Sequence, residues 1–75
     1  MGNTPNYYLK DGIECQVVID VITSDCIGAE SFYIGNIIKY LWRYKNKNGI
    51  DDLRKAQTYV ENLIGYITRR GEKNG

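Results

Sequence analysis

The C-terminal part of the chain carries an apolar stripe with the spacing of a packed helix. Between residues 50 and 68, apolar side chains recur in steps of three and four, at Leu53, Ala56, Val60, Leu63 and Ile67. This is the a/d spacing of a heptad repeat, in which one helical face is buried against another helix. The stripe predicts a helix over about 50–68 that packs against a neighbouring helix, or against the same helix of another subunit.

A second helical stripe precedes it, over about residues 30–46. Its apolar members fall on one helical stripe and are Phe32, Ile34, Ile37, Ile38, Leu41 and Tyr44. The turn residues Asn-Lys-Asn-Gly end this helix, and Asn48 with Asp51 has the spacing of a capping pair for the next one. Because the connection is short, we expect the two helices to form an antiparallel hairpin.

A first helix is predicted over about residues 12–23. Asp11 stands three residues before Glu14, the spacing of a capping box, and Ile13, Val17 and Val21 follow at intervals of four. The β-branched content of this segment favours a strand instead. We choose the helix because the capping signal and the four-residue repeat agree.

These elements make one small all-α domain of three helices. We expect a polar N-terminal arm over residues 1–11, a helical body over 12–68 and a flexible tail over 69–75. A chain of 75 residues buries only about 60% of its unfolded surface, so its stability margin is thin. Small domains usually need a disulfide, a metal or an oligomer interface.

The composition leaves oligomerisation as the expected source of extra stability. There are only two cysteines, Cys15 and Cys26, and there is no histidine, so we expect no disulfide, no metal and no cofactor. The carboxylates Glu14, Asp20, Asp51 and Asp52 are poor candidates for a magnesium site, because only Asp51 and Asp52 are adjacent in sequence, and neighbouring residues do not face each other on a helix. Without a signal peptide or an apolar run of about 20 residues, a cytoplasmic protein with no membrane span is expected.

Charge is unevenly distributed along the chain. Residues 1–30 carry five acids and one base, whereas residues 31–50 carry four bases and no acid. The net charge is only +1, and duplex DNA-binding domains are usually more basic. We therefore expect an anionic small ligand at the basic segment, or contacts between acidic and basic regions of neighbouring subunits, rather than duplex DNA.

The candidate binding site is a polar and cationic cluster on the two C-terminal helices. If these helices run antiparallel about 8 to 10 Å apart, its side chains converge. Its members are Asn36, Lys39, Tyr40, Arg43, Asp52, Lys55 and Tyr59. Arginine offers a planar fork to phosphate oxygens and lysines act as point charges. The alternative is that the cluster is an ordinary solvated helix face.

The known phosphate-binding loops are missing from the sequence. It has neither GxxxxGK[ST] nor GxGxxG, so it lacks the backbone cradle of the established nucleotide-hydrolysing and dinucleotide-binding folds. Without histidine it also lacks the commonest general base near neutral pH. Binding without turnover is therefore the expected behaviour.

The segments GIE, VIDVI and GNIIKYLWRY, followed after a short spacer by DDLRKAQTYVENLI, resemble a known protein family. It is a family of small tailed-bacteriophage proteins of unknown function, often labelled nucleotide kinases. The resemblance covers about residues 12–65. The family's characteristic positions correspond here to Gly35, Asn36, Lys39, Tyr40, Arg43, Asp52, Leu53, Lys55, Ala56 and Tyr59.

This resemblance implies a phage protein that acts in the cytoplasm of the infected host. Relatives often carry a His-Tyr pair in the N-terminal arm, where this chain has Tyr7 and Tyr8. The spacing leaves open whether Glu14 or Asp20 matches the family carboxylate. If relatives use that histidine in proton or phosphoryl transfer, this chain binds a nucleotide without converting it.

The sequence supports two candidate functions. The first is a homo-oligomeric protein that binds a nucleotide or another phosphate-bearing ligand at the Lys/Arg cluster, with at most a kinase-like activity. The second is an interaction module that docks on a host protein and modulates a host enzyme or defence system. It is motivated by nine aromatic residues in a short chain, because tyrosine, tryptophan and arginine are enriched at interface hot spots.

Overall fold

The described part of the chain is mainly helical. The computed structural model describes residues 8–71. In order, this range forms β1 (Leu9–Lys10), β2 (Ile13–Glu14), α1 (Cys15–Ile22), α2 (Ala29–Arg43) and α3 (Ile50–Arg69). A 3₁₀ turn, Tyr44–Asn46, follows α2 directly. The three predicted helices are present, and a two-stranded sheet is added that the all-α prediction did not include.

The two strands form a tight β-hairpin. They are antiparallel, with Lys10 opposite Ile13 and Leu9 opposite Glu14. The two residues between them, Asp11 and Gly12, have φ values of 51° and 77°. Positive φ at both central positions defines a type I′ turn, for which Asp-Gly is among the preferred dipeptides because its twist matches that of the strands.

This hairpin corrects the prediction for the first helix. The helix was expected over 12–23 with Asp11 and Glu14 as its capping box, but α1 begins at Cys15 and its N-cap, Glu14, makes no side-chain capping hydrogen bond. Asp11 lies in the hairpin turn, so it is not available as a cap. The part of the predicted arm that is described, residues 8–11, belongs to the folded body; Tyr7 lies outside the described residues.

Helices α2 and α3 form the predicted antiparallel hairpin. An early residue of α2 meets a late residue of α3, as Tyr33 and Tyr66 do with ring centroids 5.8 Å apart. At the other end, Arg43 meets Asp52. The boundaries agree with the predictions of 30–46 and 50–68 to within a few residues, with the last turn of the first stripe wound as a 3₁₀ turn.

The start of α3 corrects a second capping prediction. Asn48 and Asp51 were expected to cap it, but the N-cap is Gly49, and no side chain caps it. Instead, Asp52 accepts hydrogen bonds from the backbone N–H and the side-chain amide of Asn48, at 3.2 and 3.3 Å. The carboxylate that holds the turn is therefore one residue further along than the sequence pattern indicated.

The core is thin. Among the described residues, only Cys15 and Ala56 are buried apolar side chains, and Asp52 is the one buried charged residue. Ala56 belongs to the predicted heptad stripe of α3. Large apolar side chains remain open to solvent, including Val21 at 68% and Ile64 at 57% exposure. Within residues 8–71, no helix is long and apolar enough to cross a membrane.

Candidate ligand-binding site

Three cationic side chains gather around the ring of Tyr40. The ring centroid lies 4.6 Å from Lys39 Nζ, 4.8 Å from Arg43 Cζ and 5.6 Å from Lys55 Nζ. Lys39 and Arg43 come from α2, whereas Lys55 comes from α3, so the antiparallel packing of the two helices brings them together. We call Lys39, Tyr40, Arg43 and Lys55 the cation cluster.

Tyr59 forms the floor of this region on α3. Its ring stacks on Tyr40, with centroids 6.0 Å apart and an angle of 20° between the planes. Phe32 packs edge-on against Tyr59 at 5.9 Å. Asn36 lies one turn before Tyr40 on α2 and donates a hydrogen bond from its amide to the backbone carbonyl of Phe32 at 2.9 Å. The predicted aromatic and polar residues therefore line one continuous side of the hairpin.

Arg43 and Asp52 form an ion pair. Arg43 donates from Nε to Asp52 Oδ2 and from Nη2 to Asp52 Oδ1, both at 3.3 Å. Asp52 is completely buried and Arg43 is 14% exposed at its side chain. The guanidinium fork that the sequence assigned to a phosphate therefore faces a carboxylate across the turn between the helices.

The surroundings of Asp52 favour its charged form. Burial alone would raise the pKa of its carboxyl, but the hydrogen bonds from Arg43 and Asn48 and the positive charge of Arg43 outweigh burial and hold that pKa below its ordinary value of 3.8. Hydrogen bonding to Tyr8 and pairing with Asp52 raise the pKa of Arg43 against the effect of burial. Both groups are charged throughout the neutral range.

Tyr8 connects the N-terminal hairpin to this pair. Arg43 Nη1 lies 3.2 Å from the hydroxyl oxygen of Tyr8 and donates to it. The three donor nitrogens of the Arg43 guanidinium are thus directed at Asp52 and Tyr8. The sequence singled out Tyr8 only as an aromatic residue of an arm; the Asp-Gly turn, which folds that segment back, is the signal that could have placed it here.

A cavity opens beside the cation cluster. Its volume is about 180 Å³, and its lining comes from the N-terminal hairpin, α1 and α2: Tyr8, Glu14, Cys15, Gln16, Ile19 and Lys39. Lys39 belongs to both the cavity lining and the cation cluster, so the two share this side chain. Apart from Lys39, the cavity residues were not among the predicted site residues, because the link between α1 and α2 depends on tertiary packing.

Two lining residues have defined chemical states or positions. Burial raises the pKa of the Cys15 thiol, although the charge of Lys39 opposes the effect, so Cys15 is a protonated thiol at neutral pH. Glu14 faces the cavity, whereas Asp20 accepts a hydrogen bond from Gln16 on the exposed side of α1, at 2.8 Å. Of the two carboxylates that the spacing left open, Glu14 is the one that lines the same cavity as Lys39.

The carboxylates do not assemble a metal site in the described part of the chain. Between residues 8 and 71, no three or more histidine, cysteine, aspartate or glutamate side chains come together. Asp51 and Asp52 are adjacent in sequence but differ in environment, because Asp51 is exposed while Asp52 is buried against Arg43. All the ligand-binding residues predicted from sequence lie on α2 and α3, and their role in binding stays a prediction.

Comparison with known proteins identifies a family but no characterised relative. The sequence model of a family described as a protein of unknown function, DUF3310, matches residues 2–61. Neither the curated proteins nor the solved structures include a significant match to this chain.

Proposed function

The chain belongs to the DUF3310 family, which is described as being of unknown function, and from the geometry around Tyr40 we propose that it binds a phosphate-bearing small molecule, in the first instance a nucleotide. The phosphate lies between Lys39 and Lys55, beside the Tyr40 ring. The protein is a phage product that acts in the host cytoplasm. It binds its ligand without converting it; a kinase-like activity is at most what the resemblance to phage proteins labelled nucleotide kinases implies.

The observation that carries this proposal is uncompensated charge. Of the three cations around Tyr40, only Arg43 has a carboxylate partner; among the described residues, Lys39 and Lys55 take part in no ion pair. Two ammonium groups held near one ring repel each other, and an anion placed between them removes that repulsion. A phosphate supplies the required charge and several acceptor oxygens.

The cavity next to Lys39 holds the part of the ligand that is not the phosphate. At about 180 Å³ it is smaller than the typical pocket for a complete small molecule, roughly 300 to 1,000 Å³. It therefore takes part of the ligand, such as one ring, while the phosphate stays outside on the cation cluster. Ile19 supplies an apolar wall, and Glu14 supplies an acceptor.

The pairing of Arg43 with Asp52 makes Arg43 a poor position for a test variant. Replacing Arg43 with alanine leaves the Asp52 carboxylate buried without its partner, so a loss of binding in that variant would be confused with unfolding. Lys39 and Lys55 are better positions, because neither is held by a carboxylate of the described residues. We therefore use Lys39→Ala/Lys55→Ala.

The test is a thermal-shift titration against inorganic phosphate and against mono-, di-, tri- and cyclic nucleotides. A ligand at 100 times its Kd stabilises the folded state by about 2.7 kcal/mol. For a domain of this size that corresponds to a rise in Tm of roughly 10 to 20 °C. We expect a dose-dependent rise for one nucleotide class, and its loss in Lys39→Ala/Lys55→Ala.

Lys45→Ala/Lys47→Ala is the matched control. It removes the same charge from the exposed segment after α2, so it should keep the ligand response if the cation cluster is the site. If the ligand-induced rise in Tm is lost equally in both double variants, the ligand is attracted non-specifically to a basic chain. A flat response of the natural protein to the whole panel, phosphate included, would overturn the proposal.

The alternative function is docking on a host protein, and the exposed face of α1 favours it. Val17 and Val21, one turn apart, are 50% and 68% exposed. Exposed apolar side chains that form a patch are candidates for a protein contact.

The test compares the proteins retained from host lysate by the tagged chain and by its Val17→Ser/Val21→Ser variant. A defined host protein that binds the purified chain directly, and is lost in the variant, supports docking through α1. Recovery of the bait alone contradicts it. The variant leaves the cation cluster unchanged, so the nucleotide response can be measured in the same preparation.

A further inference from the structure

Helix α3 carries a second stripe, on the side away from the cation cluster. Ile50, Gln57 and Ile64 are seven residues apart, so they lie above one another along the helix. Ile50 is 62% exposed, Ile64 is 57% exposed, and Gln57 between them is exposed as well. Because Gln57 is two residues from Tyr59, it points about 200° away from the aromatic floor of the site.

We propose that this stripe is the contact surface for a second copy of the chain, whose α3 packs against it in the antiparallel direction. The two-fold axis passes between the Gln57 residues of the two copies. Such a contact is isologous: the same surface is used on both copies, and each residue pair occurs twice. It goes beyond the proposed ligand site and does not depend on it.

The apolar residues of the stripe satisfy this symmetry. Ile50 lies seven residues before Gln57 and Ile64 lies seven after it. In an antiparallel pair centred on Gln57, each exposed isoleucine therefore meets the other isoleucine of the second copy. Both are otherwise open to water, so the contact removes apolar surface from solvent at two places.

The charges at the edge of the stripe satisfy the same symmetry. Arg54 is three residues before Gln57 and Glu61 is four residues after it, and both lie about 40° to 60° to the same side of the stripe. Across the two-fold axis, Arg54 of one copy and Glu61 of the other differ in height by about one residue, or 1.5 Å. In the described chain neither side chain takes part in an ion pair.

The opposite edge of the stripe is apolar. Leu53 and Val60 border it on the side facing α2, and the symmetry brings Leu53 of one copy beside Val60 of the other. Val60 remains 39% exposed in the single chain. The surface thus has an apolar centre and inner edge and a complementary charged outer edge, which is the arrangement of an antiparallel helix pair. This charge arrangement selects a second copy over an unrelated partner.

The first experiment is cysteine cross-linking. Gln57→Cys is placed in a Cys26→Ser background, with Cys15 left in place because it is only 4% exposed. Facing positions on packed helices bring the two Cα atoms within disulfide reach, roughly 4.4 to 6.8 Å. Mild oxidation should convert the protein to a covalent dimer. Asn62→Cys, exposed but about 140° further around α3, is the matched control and should remain monomeric under denaturing conditions.

The second experiment is charge reversal, read by sedimentation equilibrium without ligand. Arg54→Glu places like charges opposite each other at both ends of the contact, and we expect its dimer Kd to rise by about tenfold or more. Glu61→Arg should do the same. The double variant Arg54→Glu/Glu61→Arg restores opposite charges and should return the Kd to within about threefold of the natural value.

Two results would overturn the proposal. One is a natural protein that stays monomeric at about 100 μM, a concentration at which a micromolar dimer is formed. The other is a dimer whose Kd is unchanged by the charge reversals and that forms disulfide cross-links equally well through position 62 and position 57. Circular dichroism of each variant distinguishes loss of the contact from loss of the helix.

Discussion

Arg43 and Asp52 face each other across the turn between α2 and α3, with two donor nitrogens of the guanidinium at 3.3 Å from the two carboxylate oxygens. The pair is nine residues apart in sequence and holds the ends of the two helices together. Asn48, within the turn, donates to the same carboxylate from its backbone and its side chain. One buried carboxylate therefore organises both the helix hairpin and the base of the cation cluster.

Acid should destabilise the fold through Asp52. Its pKa is lowered in the folded protein from the ordinary value of 3.8, so its contribution to stability is complete above that value and is lost as the pH falls through the folded pKa. We expect the urea concentration at the unfolding midpoint of the natural protein to decrease once the pH is below about 4. Asp52→Asn should lower the midpoint at pH 7 and remove this part of the pH dependence.

Asp51→Asn is the control for that measurement. Asp51 is the neighbouring carboxylate in the first turn of α3, but it is exposed. Its replacement should leave the midpoint at pH 7 nearly unchanged and the acid-induced decrease intact. If the acid-induced decrease of the urea midpoint disappears equally in Asp51→Asn and Asp52→Asn, acid acts through the helix end in general and not through the pair with Arg43.

The hydroxyl of Tyr8 should contribute measurably to stability. It accepts a hydrogen bond from Arg43 at 3.2 Å and connects the β-hairpin to α2. Tyr8→Phe keeps the ring and removes the acceptor, and a hydrogen bond of this kind contributes about 0.5 to 1.5 kcal/mol, or more when one partner is charged. Urea denaturation of Tyr8→Phe should show a loss in that range; an unchanged midpoint would mean that solvent replaces the contact.

Gly35 offers a stabilising substitution. It lies inside α2, and a Cβ added there would be 3.5 Å from Ile19 Cγ2 of α1, which is an ordinary contact. Because glycine costs about 0.5 to 1 kcal/mol relative to alanine inside a helix, Gly35→Ala should raise the free energy of unfolding by that amount. Gly35→Leu has no such room and should lower it, because α1 would be displaced.

Gly28 should behave in the opposite way. It is the N-cap of α2 with φ 61° and ψ −139°, a conformation that L residues rarely adopt, and an added Cβ would lie 2.8 Å from the Tyr66 hydroxyl. Gly28→Ala should lower the free energy of unfolding by about 1 to 3 kcal/mol. Adding Tyr66→Phe removes the hydroxyl and should recover part of the loss; no recovery would assign the whole effect to the backbone.

The sequence predicted the elements whose periodicity was long. Five apolar positions at heptad spacing defined α3, and six defined α2, so both helices and their antiparallel pairing were found. The short N-terminal elements were predicted less well. The same residues fit both an Asp11–Glu14 capping pair and an Asp-Gly hairpin turn, and the structure has the hairpin. Local patterns of four residues permit both, and the contact of Tyr8 with Arg43 is a tertiary interaction that no local pattern contains.

The candidate site was predicted in part for the same reason. Helical spacing placed Lys39, Tyr40 and Arg43 on one side of α2 and Lys55 on the matching side of α3, and these side chains do meet. Spacing contains no information on which charges are paired. The sequence therefore assigned Arg43 and Asp52 to the ligand, whereas their side chains are joined to each other. The cavity depends on how α1 docks on α2.

The closeness in sequence of Arg43 and Asp52 has a kinetic consequence. A loop of about ten residues closes in roughly 10 to 100 ns, so we expect the turn between α2 and α3 to close early in folding. We expect the N-terminal hairpin and α1 to dock afterwards, through Tyr8 and Ile19. Substitutions at the Arg43–Asp52 pair should then mainly slow refolding, whereas Tyr8→Phe should mainly accelerate unfolding. Stopped-flow measurements on the two kinds of variant would give the order in which the domain assembles.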